Sequence, residues 1–70
     1  MIYSTRCTWF MMDWSEYAPP TEPEETRHES IDEAIDYLVQ AGWEKMTDTQ
    51  IVMFDKFGFM DVITYVEMEN

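Results

Sequence analysis

The sequence predicts an α+β fold: a three-stranded antiparallel sheet with one helix packed on a face, in the order β-α-β-β. Three observations lead there. Residues 2–12 and 49–68 are rich in β-branched and aromatic types. Between them, residues 30–42 carry an apolar stripe at helical spacing with stop signals at both ends. Asp55-Lys56-Phe57-Gly58 then interrupts the second β-rich stretch as a turn, which folds it into a hairpin.

The first strand, residues 2–12, is apolar on both sides. Tyr3, Cys7, Trp9 and Met11 fall on one, and Ile2, Phe10 and Met12 on the other. Such a strand expects cover on both faces. Residues 13–29 follow as a long loop holding all three prolines, Pro19, Pro20 and Pro23, among several glutamates. Proline has no N–H for a strand ladder and breaks a helix interior, so an extended connection is expected. Loops of this length in compact domains tend to carry function.

The helix has local causes at each end. Ser30 is a good N-cap, and Glu33 three positions later completes a capping box. Ile31, Ala34, Ile35 and Leu38 make the buried stripe, while Asp32, Glu33, Asp36 and Gln40 occupy the other side. Tyr37 departs from the stripe, as a surface contact or as a shield for a neighbouring strand. Gly42 is placed to end the helix with a positive φ, and Trp43 to pack at its base. Residues 49–55 and 59–68 are the hairpin strands, and Glu44 to Asp48 extends the first of them outward. The whole chain, 1–70, reads as one small acidic domain without internal repeats.

Charge and size exclude several functions. Fifteen acids against four Lys or Arg leave a formal net charge of −11. Duplex DNA is itself a polyanion, so direct nucleic-acid binding is disfavoured, as is an anionic membrane surface. The longest apolar runs, Trp9–Met12 and Ile51–Phe54, are far too short to span a bilayer. A hydrophobic fraction of 46% is too high for a disordered acidic tail. A chain of this length buries only about 60% of its unfolded surface and has no room for a deep catalytic cleft. The N-terminus lacks the apolar stretch and cleavage site of a secretory signal, and the single cysteine, Cys7, forms no internal disulfide. A reducing cytoplasm fits these features.

Catalytic and metal chemistry find little support. Cys7 and His28 are the sole members of their types, which leaves a Cys–His nucleophile pair formally possible; a buried thiol and an exposed loop imidazole are the plainer reading. No serine has a nucleophile-elbow context, and two glycines do not make a phosphate loop. Zinc and EF-hand calcium patterns are absent. Glu22, Glu24 and Glu25 would hold a divalent cation only loosely, and a solvated acidic loop explains them better. We therefore expect no enzyme activity, no cofactor and no metal site.

Charge placement is more informative. Residues 13–36 hold nine acids, Asp13, Glu16, Glu22, Glu24, Glu25, Glu29, Asp32, Glu33 and Asp36, against the single base Arg27. Eight of the eleven net negative charges therefore lie in one loop and one helix. Such a row of carboxylates approximates the charge density of nucleic acid and favours fast, salt-sensitive binding to a basic channel. Solubility is the plainer role for the same charges. The strands also offer apolar residues to both sheet faces, more than one helix covers. Either the 13–29 loop folds back over the open face or a partner does, and Trp14 and Tyr17 are of the types that anchor interfaces.

In size and charge the chain resembles the small acidic inhibitors that viruses direct against nucleic-acid-handling enzymes, antirestriction and anti-CRISPR proteins among them. The resemblance is one of profile, with no shared motif. It implies a non-enzymatic inhibitor bound to a basic or nucleic-acid-binding host protein, in the host cytoplasm if the protein is viral. The predicted partner-binding residues are the nine acids together with Trp14 and Tyr17. The alternative is a self-associating structural or adaptor module, a homodimer whose acidity serves solubility.

Overall fold

The computed structural model describes residues 1–68, and the helix forms where its local signals place it. Helix α1 (Ile31–Gln40) is capped by the Ser30 hydroxyl, which accepts from the Glu33 N–H at 3.1 Å. The Glu33 carboxylate returns the bond one residue earlier than a capping box requires, accepting from the Glu29 N–H at 3.0 Å. At the other end Gly42 takes φ 106°. The Trp43 N–H donates to the Leu38 carbonyl at 2.9 Å and the Gly42 N–H to the Val39 carbonyl at 3.1 Å, a Schellman cap. Trp43 packs with Leu38 against the core, as expected at the helix base.

The sheet is larger than the sequence predicts. A six-stranded antiparallel sheet replaces the expected three strands, so the architecture is mostly sheet with one short helix. The strands are β1 (Ile2–Phe10), β2 (Ser15–Ala18), β3 (Glu24–Glu25), β4 (Glu44–Thr47), β5 (Gln50–Phe54) and β6 (Phe59–Glu67). Their order is β2-β1-β6-β5-β4, with β3 also paired to β1. The expected strands at both ends of the chain are present as β1, β5 and β6, and three exposed edge strands are added to them.

Residues 13–29 are therefore not a free loop. The chain turns at Met11–Trp14 and runs back along the outer edge of β1, first as β2 and then as β3. The prolines split this edge into two short strands without detaching it. Between the two strands, the Thr21 N–H donates to the Arg6 carbonyl at 3.0 Å, and the Thr21 hydroxyl accepts from the Arg6 N–H at 3.1 Å. Beyond β3, the Thr26 N–H donates to the Ile2 carbonyl at 2.8 Å. Likewise, residues 44–48 do not extend β5 outward. They fold back through Asp48 and Thr49 as β4, pairing Glu44 with Val52 and Thr47 with Gln50.

Two apolar clusters lie on opposite faces of the sheet. Under the helix, Ile2, Ala34, Ile35, Ile51 and Tyr65 form the main core, joined by Ile31, Leu38, Trp43 and Ile63. Strand alternation sends Val52, Met60 and Val62 to the other face, where Cys7, Trp9 and Met11 pack against them. The acidic segment does not cover this second face, because it is spent on the edge of β1. The resulting molecule is thin, 38 × 25 × 16 Å.

Candidate functional site

All eleven residues expected to bind a partner are exposed, but they divide between two ends of the β1 edge. Asp13 and Trp14 occupy the β1–β2 turn, with Glu16 and Tyr17 in β2. Glu24 and Glu25 form β3, with Glu22 just before it and Glu29 before the helix. Asp32, Glu33 and Asp36 project from α1. Since Ser15 pairs with Phe10 and Glu25 with Tyr3, the two groups stand roughly 24 Å apart along the strand at ~3.4 Å per residue. Trp14 and Tyr17 are thus not beside the helix acids.

The turn end is aromatic rather than acidic. Asp13 Oδ1 accepts from the Ser15 N–H at 3.0 Å, and hydrogen bonds from Ser15 hold its carboxyl below the usual value. Trp14 takes φ 55°, a left-handed conformation that bulky residues rarely adopt, and is 67% exposed. A register shift between Thr8 and Trp9 accompanies the packing of Tyr17 edge-on to Phe59 at 4.6 Å, and the Phe10 ring lies 5.2 Å from the same Phe59. Beside this turn lies the β5–β6 turn, joined to it by the Met11 N–H donating to the Gly58 carbonyl at 2.8 Å. Asp55 Oδ1 shapes that second turn by accepting from the N–H groups of Phe57 and Phe59, and Gly58 has φ 92° as its position requires. Phe57 at its tip is exposed.

The helix end has a different surface. Between α1 and β3 lies an open cleft of about 460 Å³ with Glu24 and Glu25 at one side and Tyr37 and Leu38 at the other. Tyr37 meets His28 at 5.2 Å between ring centroids, which answers why it leaves the apolar stripe. A shallower groove beyond these rings is lined by Glu33 and Asp36. The edge strand thus brings carboxylates to the cleft, and the helix brings its own to the adjoining groove. Arg27, the single base of this segment, also borders the recess and makes no ion pair among the described residues.

Midway between the ends, Arg6 and Asp61 form an ion pair at 2.7 Å. The Thr8 hydroxyl donates to the same carboxylate at 2.7 Å. Burial pushes the Asp61 carboxyl up, but the Thr8 and Arg6 contacts outweigh it and hold the group below its usual value. The Arg6 guanidinium also lies 5.6 Å from the Trp43 ring centroid.

The fold does not join Cys7 to His28. Cys7 packs against Val52, Met60 and Val62 on the face opposite the helix, whereas His28 contacts Tyr37 of the helix on the other. Among the described residues, no group of three or more His, Cys, Asp or Glu is placed to hold a metal ion, and no helix is long and apolar enough to cross a membrane. Sequence reasoning missed Ser4 and Tyr65, which line the cleft because β1 and β6 pair them on the helix face. Alternation within residues 59–68 was the available signal for Tyr65; nothing in the sequence marks Ser4. Comparison with protein-family models, curated proteins and solved structures finds no match to this chain.

Proposed function

We propose that this protein is a non-enzymatic inhibitor or modulator that binds a basic, nucleic-acid-binding host protein, offering an acidic surface where nucleic acid would lie. The observation that carries the reading is the arrangement of Glu22, Glu24 and Glu25 along one sheet edge with Asp32, Glu33 and Asp36 on the adjoining helix, all of them exposed. None forms an ion pair among the described residues. Their field attracts a cationic channel, and ion pairs formed on contact would displace the partner's own anions.

Capture of partners on the immobilised protein at low and high salt tests this, followed by titration of the purified partner. Binding should weaken about a thousandfold or more between ~50 and ~200 mM salt if six or more ion pairs form, by analogy with DNA itself. Duplex DNA should compete. Binding that ignores both salt and combined charge reversal at Glu22, Glu24, Glu25 and Asp36 rules the reading out.

One observation favours a second reading, self-association. No helix or second sheet lies over the face opposite α1, and although Val52, Met60 and Val62 are buried there among neighbouring side chains, Phe54 and Val66 on the same face stay exposed. A homodimer through that face would make acidity a matter of solubility. Light scattering after size exclusion separates the two, since a strict monomer across a wide concentration range removes the dimer.

A further inference from the structure

We propose that the cleft between α1 and β3 binds a cationic group on an aliphatic stem, a guanidinium or ammonium. Its source is either an arginine or lysine side chain of a protein partner or a free small molecule of the same chemistry. The first source extends the inhibitor reading; the probes below need no partner, so the two ideas fail separately.

Tyr65 carries the inference. It is only 6% exposed, in the core beneath the helix, yet it borders the cleft. Its hydroxyl has no hydrogen-bond partner among the described residues. Every fully enclosed side-chain nitrogen or oxygen among the described residues has a partner, so this hydroxyl reaches open space, and the cleft is the open space that Tyr65 lines. Burial alone raises its pKa, with no hydrogen bond contributing. A hydroxyl that meets solvent at the end of an otherwise buried ring, with no protein partner to displace, is free to bond a ligand in place of water.

The sign of that ligand follows from the surrounding charges. Glu24 pairs with Ser4, which pairs with Tyr65 in turn, so alternation puts all three on the helix face. Glu33 and Asp36 line the adjoining groove beyond Tyr37 and His28. Against these carboxylates stands Arg27, exposed and without an ion pair among the described residues. An anion would meet net repulsion, and a cation net attraction. The Tyr65 and Ser4 hydroxyls would accept from its N–H groups, and Glu24 would supply the charge.

The remaining lining suits the stem. Leu38 and Ile63 give an apolar surface against which methylenes lie, as they do along Lys and Arg side chains elsewhere. The Tyr37 ring, tilted 45° to His28, adds a π face beside the recess. The volume of about 460 Å³ lies within the range of small-ligand sites.

The test is titration of the ¹⁵N-labelled protein with agmatine, N-acetyl-arginine amide and the neutral N-acetyl-norleucine amide, followed by amide chemical shifts. Both cationic probes should shift Ser4, Glu24, Thr26, Leu38 and Tyr65 saturably, and the neutral probe should not. Tyr65→Phe and Glu24→Gln should each weaken binding about tenfold, as expected for loss of a hydrogen bond to a charged group. Tyr65→Phe should leave the melting temperature unchanged or raised, because it removes an unpartnered hydroxyl; should it unfold the protein, Glu24→Gln and Ser4→Ala carry the test. Tighter binding of the arginine amide supports a partner's side chain as the source, and tighter binding of agmatine supports a free cation. Equal shifts with the neutral probe overturn the proposal. So do unsaturable shifts spread over all surface carboxylates, or affinity unchanged in the Glu24→Gln and Tyr65→Phe proteins.

Discussion

The helix-covered end of this sheet and its hairpin end are built from the same long strands, yet they differ in what they leave in solvent. A ten-residue helix is about 15 Å long, while nine-residue strands such as β1 and β6 extend roughly 30 Å. The helix therefore seals one end, where Ile2, Ala34, Ile35 and Ile51 are almost wholly buried, and surrounds it with carboxylates. The far end keeps Met12, Trp14, Tyr17 and Phe57 in solvent. The largest fully buried side chains, Ile2, Ile35 and Ile51, all lie at the first end, and the exposed apolar surface of the second is available for contact.

The largest test of that contrast removes packing under the helix. Ile35→Ala should destabilise the protein by about 3–4 kcal/mol, measured by urea unfolding, because Ile35 is 2% exposed and its neighbours close only partly over the cavity. Such a loss is a large fraction of the stability of a small domain. A loss below about 1 kcal/mol would mean that the helix end is not the anchor of the fold.

Gly42→Ala comes next, at about 1–2 kcal/mol, because φ 106° is unfavourable for a residue with a Cβ. The added methyl would meet Met53 Cε at an ordinary 3.9 Å, so the cost is conformational and not steric. Gly42→Asn, better tolerated at positive φ, should recover part of it in the same unfolding experiment.

These two positions were legible in the sequence because their causes are local. Capping, stripe and C′ glycine all lie within residues 30–43, and β1, β5 and β6 announce themselves by β-branched and aromatic residues. The edge strands do not. Ser15–Ala18, Glu24–Glu25 and Glu44–Thr47 bury almost no side chain, and backbone rungs to a neighbour make them strands. Prolines that forbid an interior strand only divide an edge one. The acids of the candidate surface could be counted from the sequence. The cleft beside them could not, because it exists only once β3 returns along β1 and register brings Ser4 beside Tyr65.

Asp61 sits at the border between the two ends, and its effect should be intermediate. Asp61→Asn should cost about 1 kcal/mol at neutral pH, the scale of a partly exposed charged hydrogen-bond pair. A carboxyl held below its unfolded value contributes stability that is fully present above that value and is lost as pH falls through the folded one. The wild-type advantage over Asp61→Asn should therefore persist at pH 5 and above, shrinking as acid is added below about 3.8, the reference value for Asp. Paired unfolding curves across that range check it. A difference that grows toward acid would reverse the assignment.

The smallest effect is expected at Trp14, and its sign matters more than its size. A tryptophan at φ 55° holds a backbone conformation that glycine adopts freely, while its ring is 67% exposed and has few contacts to lose. Trp14→Gly relieves the strain but also gives the unfolded chain more freedom, so these terms oppose each other. We expect a net change within about 0.5 kcal/mol, with the fold retained by circular dichroism. A loss above ~1 kcal/mol would show that the indole holds the turn against its neighbour, and would remove it from the surface available to a partner. Near-neutral stability would mean instead that the chain tolerates a strained, exposed tryptophan with no structural return. That is the pattern expected where the ring is kept for contact with another molecule.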